Sequence, residues 1–247
     1  MSAPAALPDG WRLEETASID STNAELLRRA ETGEREGLAL RADVQTAGRG
    51  RRGRAWASPK CNLYLSILVD APAVTAGQVG FAAGLALIEA VEAEAGGSLP
   101  QLRCKWPNDV LWDGAKVAGL LLEAVPGRAQ VVVGIGANLQ PVDVGDAVYP
   151  VGDLSNFNLG TKALAMRVCA GLAEWLETWR SQGFPPLRRA WLARAAGLSQ
   201  TITVRLPHDT LDGTFKGLAE DGALLLDQGS AGTRTVAAGD VFFAVGV

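Results

Sequence analysis

The segment from Gly48 to Pro59 reads Gly-Arg-Gly-Arg-Arg-Gly-Arg-Ala-Trp-Ala-Ser-Pro. Its first seven residues interleave three glycines with four arginines. Glycine lets the backbone approach a ligand closely, and a guanidinium group binds carboxylate or phosphate in a planar, often bidentate manner. The segment therefore predicts a cationic loop that closes over an anion, and Trp56 offers an aromatic face to a flat heterocycle.

Two common phosphate-binding motifs are excluded at this loop. Gly48, Gly50 and Gly53 satisfy G-x-G-x-x-G, but the dinucleotide fingerprint needs a helix to open at that turn. Here Pro59 follows, and residues 62–69 then read as a strand. A P-loop is excluded because no Gly-Lys-Ser/Thr closes the glycine run. A solvated basic hairpin tip and a nucleic-acid patch remain open as alternatives.

Composition limits the classes of function. The chain has 247 residues, of which 48% are hydrophobic and 20% charged, as in an ordinary globular protein. Its net charge of −4 argues against general nucleic-acid affinity. The three cysteines form no C-x-x-C, and His208 is the single histidine. A zinc site, a disulfide framework and a Ser-His-Asp triad are therefore disfavoured. We see no signal peptide and no run of transmembrane length, so we expect a cytoplasmic protein.

The hydrophobic pattern predicts two domains, with a boundary at residues 197 and 198. Residues 1–197 alternate strands, such as 38–44, 62–69, 115–123 and 130–139, with helices near 21–33, 78–95, 161–182 and 186–195. After Gly197 the pattern changes to short segments at 201–206, 210–218, 223–226 and 234–236, separated by turns. Short strands at regular spacing indicate a small all-β barrel over 198–247.

Two further groups of polar residues are candidates for a site. Ser21-Thr22-Asn23 precede a helix, where they either cap it or face a polar ligand. Lys105, Asn108, Asp109 and Lys116 fall on two neighbouring strands and the turn between them. They bring two amines, an amide and a carboxylate into one patch, although an exposed hairpin with a surface ion pair gives the same pattern.

Five motifs together resemble the biotin protein ligases, also known as biotin–[acetyl-CoA-carboxylase] ligases. They occur in the family's order: Ser21-Thr22-Asn23, the Gly48–Pro59 loop, Lys105-Trp-Pro-Asn-Asp109, Lys116-x-Ala-Gly119 and Gly134-Ile-Gly-Ala-Asn138. The resemblance covers nearly the whole chain. It implies an α+β fold in which a mixed sheet packs with helices in a class II synthetase-like catalytic domain, followed by an SH3-like barrel.

The resemblance also implies a two-step reaction. Biotin's carboxylate attacks the α-phosphorus of MgATP, pyrophosphate leaves, and biotinyl-5′-AMP forms. A lysine of a biotin carboxyl carrier domain then attacks this mixed anhydride and releases AMP. The first step joins two anions, so arginines, lysines and Mg²⁺ suit it. The adenylate would hydrolyse in water, so a loop that closes over it is expected.

The resemblance assigns roles to residues by matching position. Those expected to bind biotin are Ser21, Thr22, Asn23, Gln45, Gly48, Arg49, Gly50, Arg51, Lys116 and Gly119. Those expected to contact ATP or the adenylate are Arg49, Arg51, Arg52, Arg54, Trp56, Lys105, Asn108 and Asn138. Lys116 is expected to be the main charge-stabilising catalytic residue, with Arg51 and Lys105 as the others. Asp109 is the candidate Mg²⁺ ligand.

Alternatives to this reading come from three classes. A lipoate–protein ligase shares the fold and the adenylate chemistry, but the complete arginine–glycine loop argues against it. A sensor that binds biotin without catalysis is disfavoured by the presence of both Lys105 and Lys116. A nucleic-acid binder would use the arginine loop. Only ten residues precede Trp11, so we expect no helix-turn-helix and no DNA partner. The family includes monomers and homodimers, and the sequence does not choose between them.

Overall fold

The computed structural model describes residues 6–72, 74–145 and 149–243. Its strands and helices follow in chain order: β1 Arg12–Thr16, α1 Thr22–Glu31, β2 Leu38–Ala42, β3 Leu63–Asp70, α2 Ala76–Ala95, β4 Leu102–Lys105, β5 Asp109–Trp112, β6 Ala115–Ala124, β7 Gln130–Ala137, α3 Thr161–Gln182, α4 Phe184–Ala193, β8 Thr201–Arg205, β9 Thr210–Leu218, β10 Leu224–Asp227, β11 Thr233–Val236 and β12 Asp240–Phe243.

A seven-stranded mixed sheet forms the first part of the molecule. Its strand order is β1-β2-β3-β7-β6-β5-β4, and β1 pairs with β2 in parallel while the other pairs are antiparallel. The helices α2 and α3 pack together on one face, and α1 covers part of the other. The predicted mixed sheet packed with helices is therefore confirmed.

Strand periodicity decides which residues face the two sides of the sheet. Successive side chains of a strand point to opposite faces. In β3, Leu65 and Ile67 join the core beneath α2 and α3, whereas Leu68 packs with the α1 cluster. By the same alternation, Ser66 in β3 and Gly134 in β7 lie on the α1 face. That face therefore carries small and polar residues where the other carries apolar ones.

The C-terminal part is a five-stranded antiparallel unit with the order β11-β10-β9-β8-β12. This is the predicted small barrel. The sequence pattern predicted four of its strands and missed β12. The unit packs against the sheet domain. Trp106 Nε1 donates to the carbonyl of Gly222 at 3.1 Å, and Gln78 Nε2 donates to the carbonyl of Glu220 at 3.1 Å. The two parts share one hydrophobic core, and the boundary at residues 197 and 198 stays a prediction.

Among the residues that the structure describes, one helix, α2, is long and apolar enough to cross a membrane by length and composition alone. Most of it is buried inside the protein. It packs against α3, α4 and the central strands, so its apolar composition is that of a core helix.

Candidate active site

A cleft of about 310 Å³ opens on the α1 face of the sheet. Most residues predicted for the site line it: Ser21, Thr22, Asn23, Gln45, Arg49, Gly50, Arg51, Arg54, Trp56, Asn108, Asp109, Lys116, Gly119 and Asn138. Gly48, Arg52 and Lys105 do not belong to its wall. The fold thus brings together motifs that are more than one hundred residues apart in the chain, from Ser21 to Asn138.

One end of the cleft is a neutral hydrogen-bond network, which we call the polar end: Thr22, Asn23, Gln45 and Ser66. Gln45 Oε1 accepts bonds from the Thr22 amide at 2.9 Å and the Thr22 hydroxyl at 3.0 Å. The Ser66 hydroxyl lies 2.7 Å from Thr22 Oγ1 and 2.5 Å from Asn23 Oδ1. These bonds fix the orientation of each side chain. The donors and acceptors at this end of the cleft are therefore preorganised for a ligand.

Local sequence places the polar end. Ser21 is the N-cap of α1, and its hydroxyl accepts from the Ala24 amide at 3.4 Å. This cap starts the helix with Thr22 and Asn23 buried against the sheet. A Cβ at Gly134 would collide with the Asn23 amide group. Gly134 is therefore required because Asn23 lies directly on the backbone of β7.

The arginine-rich loop is a closed hairpin in this structure. The Gly50 amide donates to the Arg54 carbonyl at 2.7 Å, and the Trp56 amide donates to the Gly48 carbonyl at 2.9 Å. A Cβ at Gly48 would lie 2.6 Å from the Trp56 carbonyl oxygen, so only glycine fits at this position. Gly48 thus shapes the base of the loop, whereas its predicted contact with biotin is not supported by the cleft wall.

The four arginines of the loop point in different directions. Arg49 Nη2 lies 2.9 Å from Glu123 Oε2. Asn23 Nδ2 donates to the same carboxylate oxygen at 2.9 Å, so this ion pair adjoins the polar end. Arg51 Nη1 donates to Asn108 Oδ1 at 2.8 Å, and burial lowers the pKa of the Arg51 guanidinium. Arg51 is therefore the arginine that the loop turns most deeply into the site.

Arg52 and Arg54 both pair with Asp240 of β12. The distances from their guanidinium nitrogens to Asp240 Oδ2 are 2.9 Å and 2.7 Å. Burial of Asp240 favours its neutral form, but the hydrogen bond from Arg54 and the charges of the loop hold its pKa below the ordinary value. The barrel domain therefore anchors the tip of the loop. Arg52 lies outside the cleft wall, so its predicted contact with ATP requires a change of partner.

The opposite end of the cleft, which we call the cationic end, consists of Lys116, Asp109, Arg51 and Asn108. Lys116 and Asp109 form its centre. Lys116 Nζ lies 2.6 Å from Asp109 Oδ1. The pairing of β5 with β6 shifts between Val110 and Leu111, and such a bulge re-aims side chains. Both residues line the cleft, so a cationic amine faces it as predicted.

Lys105 differs from the prediction of a second amine in contact with ATP. It is 4% exposed, and its Nζ lies 3.4 Å from the ring centre of Tyr149, which itself lines the cleft. Burial lowers the pKa of Lys105 to about 8, against the raising effect of Asp109. Lys105 therefore lies behind Tyr149, and in this geometry it acts on the cleft through its neighbours.

Trp56 and Asn138 form a wall between the two ends. The Trp56 ring lies flat on the strand glycines: a Cβ at Gly136 would be 2.5 Å from it, and one at Gly119 would be 3.0 Å from it. Asn138 Nδ2 donates to the Gly152 carbonyl at 3.1 Å, which fixes its amide at the end of β7. An aromatic face beside an amide suits a purine base, and the contact of both residues with the nucleotide stays a prediction.

The predicted magnesium role of Asp109 does not fit this geometry. Its carboxylate lies 2.6 Å from the ammonium of Lys116 and 3.9 Å from that of Lys105, so a dication there would face two positive charges. Within the described ranges, no group of three or more His, Cys, Asp or Glu side chains could hold a metal. Mg²⁺ is commonly held largely by substrate phosphates and water. We therefore assign Asp109 the role of ion-pair partner of Lys116 and Lys105.

The sequence reasoning missed four residues that shape the site: Ser66, Glu123, Tyr149 and Asp240. Ser66 carried a usable signal, because it is the one hydroxyl inside the apolar run Leu63–Val69 that belongs to no aromatic ring. Glu123 is the last residue of the predicted strand over 115–123, a position where charged surface residues are common. Tyr149 lies in a part of the chain without a clear pattern, and Asp240 belongs to the strand that was not predicted.

Comparison with known proteins agrees with this geometry. A family model described as the biotin/lipoate A/B protein ligase family matches residues 15–139, and one described as the biotin protein ligase C terminal domain matches residues 198–244. A biotin–[acetyl-CoA-carboxylase] ligase of Paracoccus denitrificans is 40% identical over an alignment of 240 positions, and the match covers 92% of this chain and 98% of that protein.

Two further matches extend the likeness. A ligase of the same name from Mycobacterium tuberculosis is 36% identical over 94% of this chain and 89% of its own. The solved structure of a biotin protein ligase from Aquifex aeolicus in complex with biotin and ATP superposes with a TM-score of 0.79 at 27% identity, over 93% of this chain and 97% of that one. The expected fold is thereby confirmed, and the chain belongs to the biotin/lipoate A/B protein ligase family.

Proposed function

We propose that this protein is a biotin–protein ligase that forms biotinyl-5′-AMP from biotin and ATP and transfers biotin to a carrier lysine. One observation carries the proposal: a single cleft has a neutral hydrogen-bond network at one end and a lysine–arginine group at the other. Biotin has the matching pair of ends, a polar ureido group and a carboxylate. Relatives named biotin–[acetyl-CoA-carboxylase] ligase, at 40% and 36% identity, support the same reaction.

The polar end suits the ureido group of biotin. A ureido group presents one carbonyl acceptor and two N–H donors, and the polar end offers hydroxyl and amide groups that do both. The cost of leaving a buried polar group unpaired rejects ligands that lack this pattern. The network of Thr22, Asn23, Gln45 and Ser66 therefore supplies orientation, so that the carboxylate of the ligand points towards Lys116.

The cationic end suits adenylate formation. The carboxylate and the α-phosphate repel each other, and negative charge grows on the phosphate oxygens in the transition state. Lys116 and Arg51 place two positive charges at this end, with Arg54 on the same wall. We assign Lys116 as the main residue that stabilises this charge and Arg51 as the second. Lys105 supports Lys116 from behind Tyr149.

The loop and Trp56 complete the proposal for the nucleotide. Trp56 and Asn138 receive the adenine, and the arginine-rich hairpin covers the adenylate and excludes water, which would otherwise hydrolyse the mixed anhydride. Arg52 and Arg54 exchange Asp240 for the outer phosphates of ATP. Magnesium enters with the nucleotide, and its chemistry is to neutralise phosphate charge.

The acceptor in this proposal is the carrier domain of acetyl-CoA carboxylase, after the names of the relatives. The reaction needs ATP, so a cytoplasmic location fits it. A homodimer stays a prediction from the resemblance, as does the absence of a DNA partner.

The test is ATP-dependent transfer of biotin to a purified biotin carboxyl carrier domain, detected by the mass of the carrier. Lipoate with a lipoyl carrier domain is the parallel reaction. A biotin-sized gain that requires ATP is the expected result. A gain with lipoate alone would move the protein to lipoate ligation. Tight biotin binding without any transfer would make it a sensor and would contradict the role given to Lys116.

A further inference from the structure

Lys105 is a buried cation whose one salt-bridge partner among the described residues, Asp109, lies beyond hydrogen-bond distance. Its side chain is 4% exposed, and its Nζ lies 3.9 Å from Asp109 Oδ2. Moving an ammonium group out of water is costly unless other interactions replace the water. The position therefore needs a second source of stabilisation for the charge.

Three aromatic rings surround the Lys105 ammonium, and we call them the aromatic cage: Tyr149, Phe242 and Phe243. Nζ lies 3.4 Å from the ring centre of Tyr149, 6.0 Å from that of Phe242 and 5.9 Å from that of Phe243. A cation over an aromatic face within about 6 Å is attracted by the ring quadrupole, most strongly when water is excluded. Tyr149 is by far the nearest ring, so it contributes most.

Tyr149 is itself held by the barrel domain. Its ring stacks on Phe242 with centres 4.7 Å apart and an angle of 25° between the planes. The guanidinium of Arg205 lies 4.0 Å from the centre of the same Phe242 ring. Phe242 is part of β12, which pairs with β8 along residues 240–243. The position of Tyr149 is therefore set by a regular strand of the second domain.

The carboxylate of Asp109 connects Lys105 to the cleft. Asp109 Oδ2 is the neighbour of Lys105, and Asp109 Oδ1 holds Lys116 Nζ at 2.6 Å. A carboxylate that serves two ammonium groups cannot move towards one without leaving the other. The position of Lys105 therefore fixes where Asp109 holds Lys116.

We propose that Tyr149, backed by Phe242, is a positioning residue that holds Lys105 against Asp109 and thereby fixes the Lys116 ammonium at the cleft. This inference rests on the proposed function, because it gives Lys116 a task in adenylate formation. It makes the barrel domain part of the catalytic apparatus through ring contacts, without any barrel residue touching the reacting atoms.

The test compares Tyr149→Leu, which removes the ring, with Tyr149→Phe, which keeps it. Biotin-dependent exchange of pyrophosphate into ATP reports the first step. We expect Tyr149→Leu to lower kcat by about tenfold or more, while KM for biotin stays within about twofold because the polar end is untouched. Tyr149→Phe should keep kcat within about threefold of the parent protein, because a phenyl ring also attracts a cation.

A matched control separates this role from loss of an aromatic contact in general. Phe157 packs edge-on against Trp112 with ring centres 5.1 Å apart, and no lysine lies over either ring among the contacts of the described residues. Phe157→Leu removes a ring of similar size and should leave kcat unchanged. Biotin affinity by calorimetry checks that each variant is folded.

A second measurement does not depend on activity. Acetic anhydride labels exposed lysines, and peptide masses give the rate at each one. Lys105 should be protected in the parent protein and in Tyr149→Phe, and should label about tenfold faster in Tyr149→Leu, relative to the exposed Lys162.

Four outcomes decide the matter. Unchanged kcat in Tyr149→Leu would overturn the inference, and so would equal losses in the leucine and phenylalanine variants, since the hydroxyl would then be responsible. Equal labelling of Lys105 in all three proteins would also overturn it. If the parent protein shows no exchange with biotin, the proposed function fails instead, and the labelling rates still decide whether Tyr149 holds Lys105.

Discussion

The two ends of the cleft are built in opposite ways. At the polar end, neutral donors and acceptors pair with one another inside the sheet domain, and Thr22, Asn23 and Ser66 are all buried. At the cationic end, Lys116, Asp109 and Arg51 are charged; Lys116 pairs with Asp109, Arg51 donates to Asn108, and the loop that carries Arg51 is anchored to Asp240 of the barrel through Arg54. The first end is complete without the barrel domain, and the second is not.

This difference follows from what each end has to do. A neutral network whose side chains are already oriented before the ligand arrives gives affinity and orientation at little cost. Positive charges must be free to meet a growing negative charge, so they are held by weak or exchangeable partners, such as the half-exposed pairs of Arg52 and Arg54 with Asp240. We therefore expect substitutions at the polar end to change KM and those at the cationic end to change kcat.

The largest effect is expected for Lys116→Ala. Loss of the ammonium removes a preorganised charge from the transition state, so kcat for pyrophosphate exchange should fall by about 100- to 1000-fold. Steady-state exchange measures it, and unchanged biotin affinity shows that the cleft is intact. Lys162→Ala is the control, because Lys162 is an exposed lysine paired with Glu15. A rate close to that of the parent protein would remove Lys116 from the mechanism.

Asn23→Ala should act on the other parameter. It removes one hydrogen-bond partner each from Ser66 and Glu123 and one contact to the ligand, so KM for biotin should rise by about 10- to 100-fold. The effect on kcat at saturating biotin should be much smaller, since the contact exists in ground state and transition state alike. The exposed Asn156→Ala serves as control. A pure kcat effect would contradict the division between the two ends.

Gly136→Ala tests the wall between the two ends. The new Cβ would lie 2.5 Å from the Trp56 ring and would push it away from β7, so KM for ATP should rise by about tenfold while KM for biotin changes less. Gly77→Ala is the matched control, because among the described residues no atom outside its own stretch of helix lies within 4 Å of its Cβ position. Equal effects on both substrates would mean that Trp56 is not specific to the nucleotide.

The smallest effect is expected for Asp240→Asn. The pairs that it weakens are partly exposed, and Asp240 competes with the phosphates of ATP for the same arginines, so KM for ATP should fall by only about two- to fivefold, and the effect should shrink as salt is raised. Asp227→Asn, which weakens a barrel pair with Lys216 at 3.7 Å, should have no effect on KM. A change of about fiftyfold or more at Asp240 would show that it does more than anchor the loop.

The sequence was sufficient to predict the helices and strands that have strong local patterns. The helix over Thr161–Gln182 and the strand over Thr210–Leu218 have the predicted bounds, because a sustained apolar periodicity defines each of them. The motifs also identified most of the cleft wall. Such residues are recognised by chemical type and spacing, which a linear sequence contains.

What the sequence could not provide arises from contacts between distant segments. Lys105 looks like any cationic residue beside a ligand, and its burial appears only when β12 and Tyr149 pack over it. The strand β12 has four residues, too few for alternation to stand out from a turn. The sequence did not reveal Asp240 as the partner of Arg52 and Arg54, because it is 186 residues from Arg54 along the chain.

The order of the chain gives the barrel's contact with the cleft a consequence during synthesis. A growing polypeptide acquires the polar end, the arginine loop and Lys116 first, but it acquires Asp240 and Phe242 about one hundred residues after Asn138, at the pace of translation of roughly 5 to 20 residues per second. Until β12 has left the ribosome, the nascent chain lacks the ring support of Lys105 and the anchor of the loop. The capacity to make a reactive acyl-adenylate thus arises only after the barrel domain has been translated, when the loop that retains the adenylate can also be anchored.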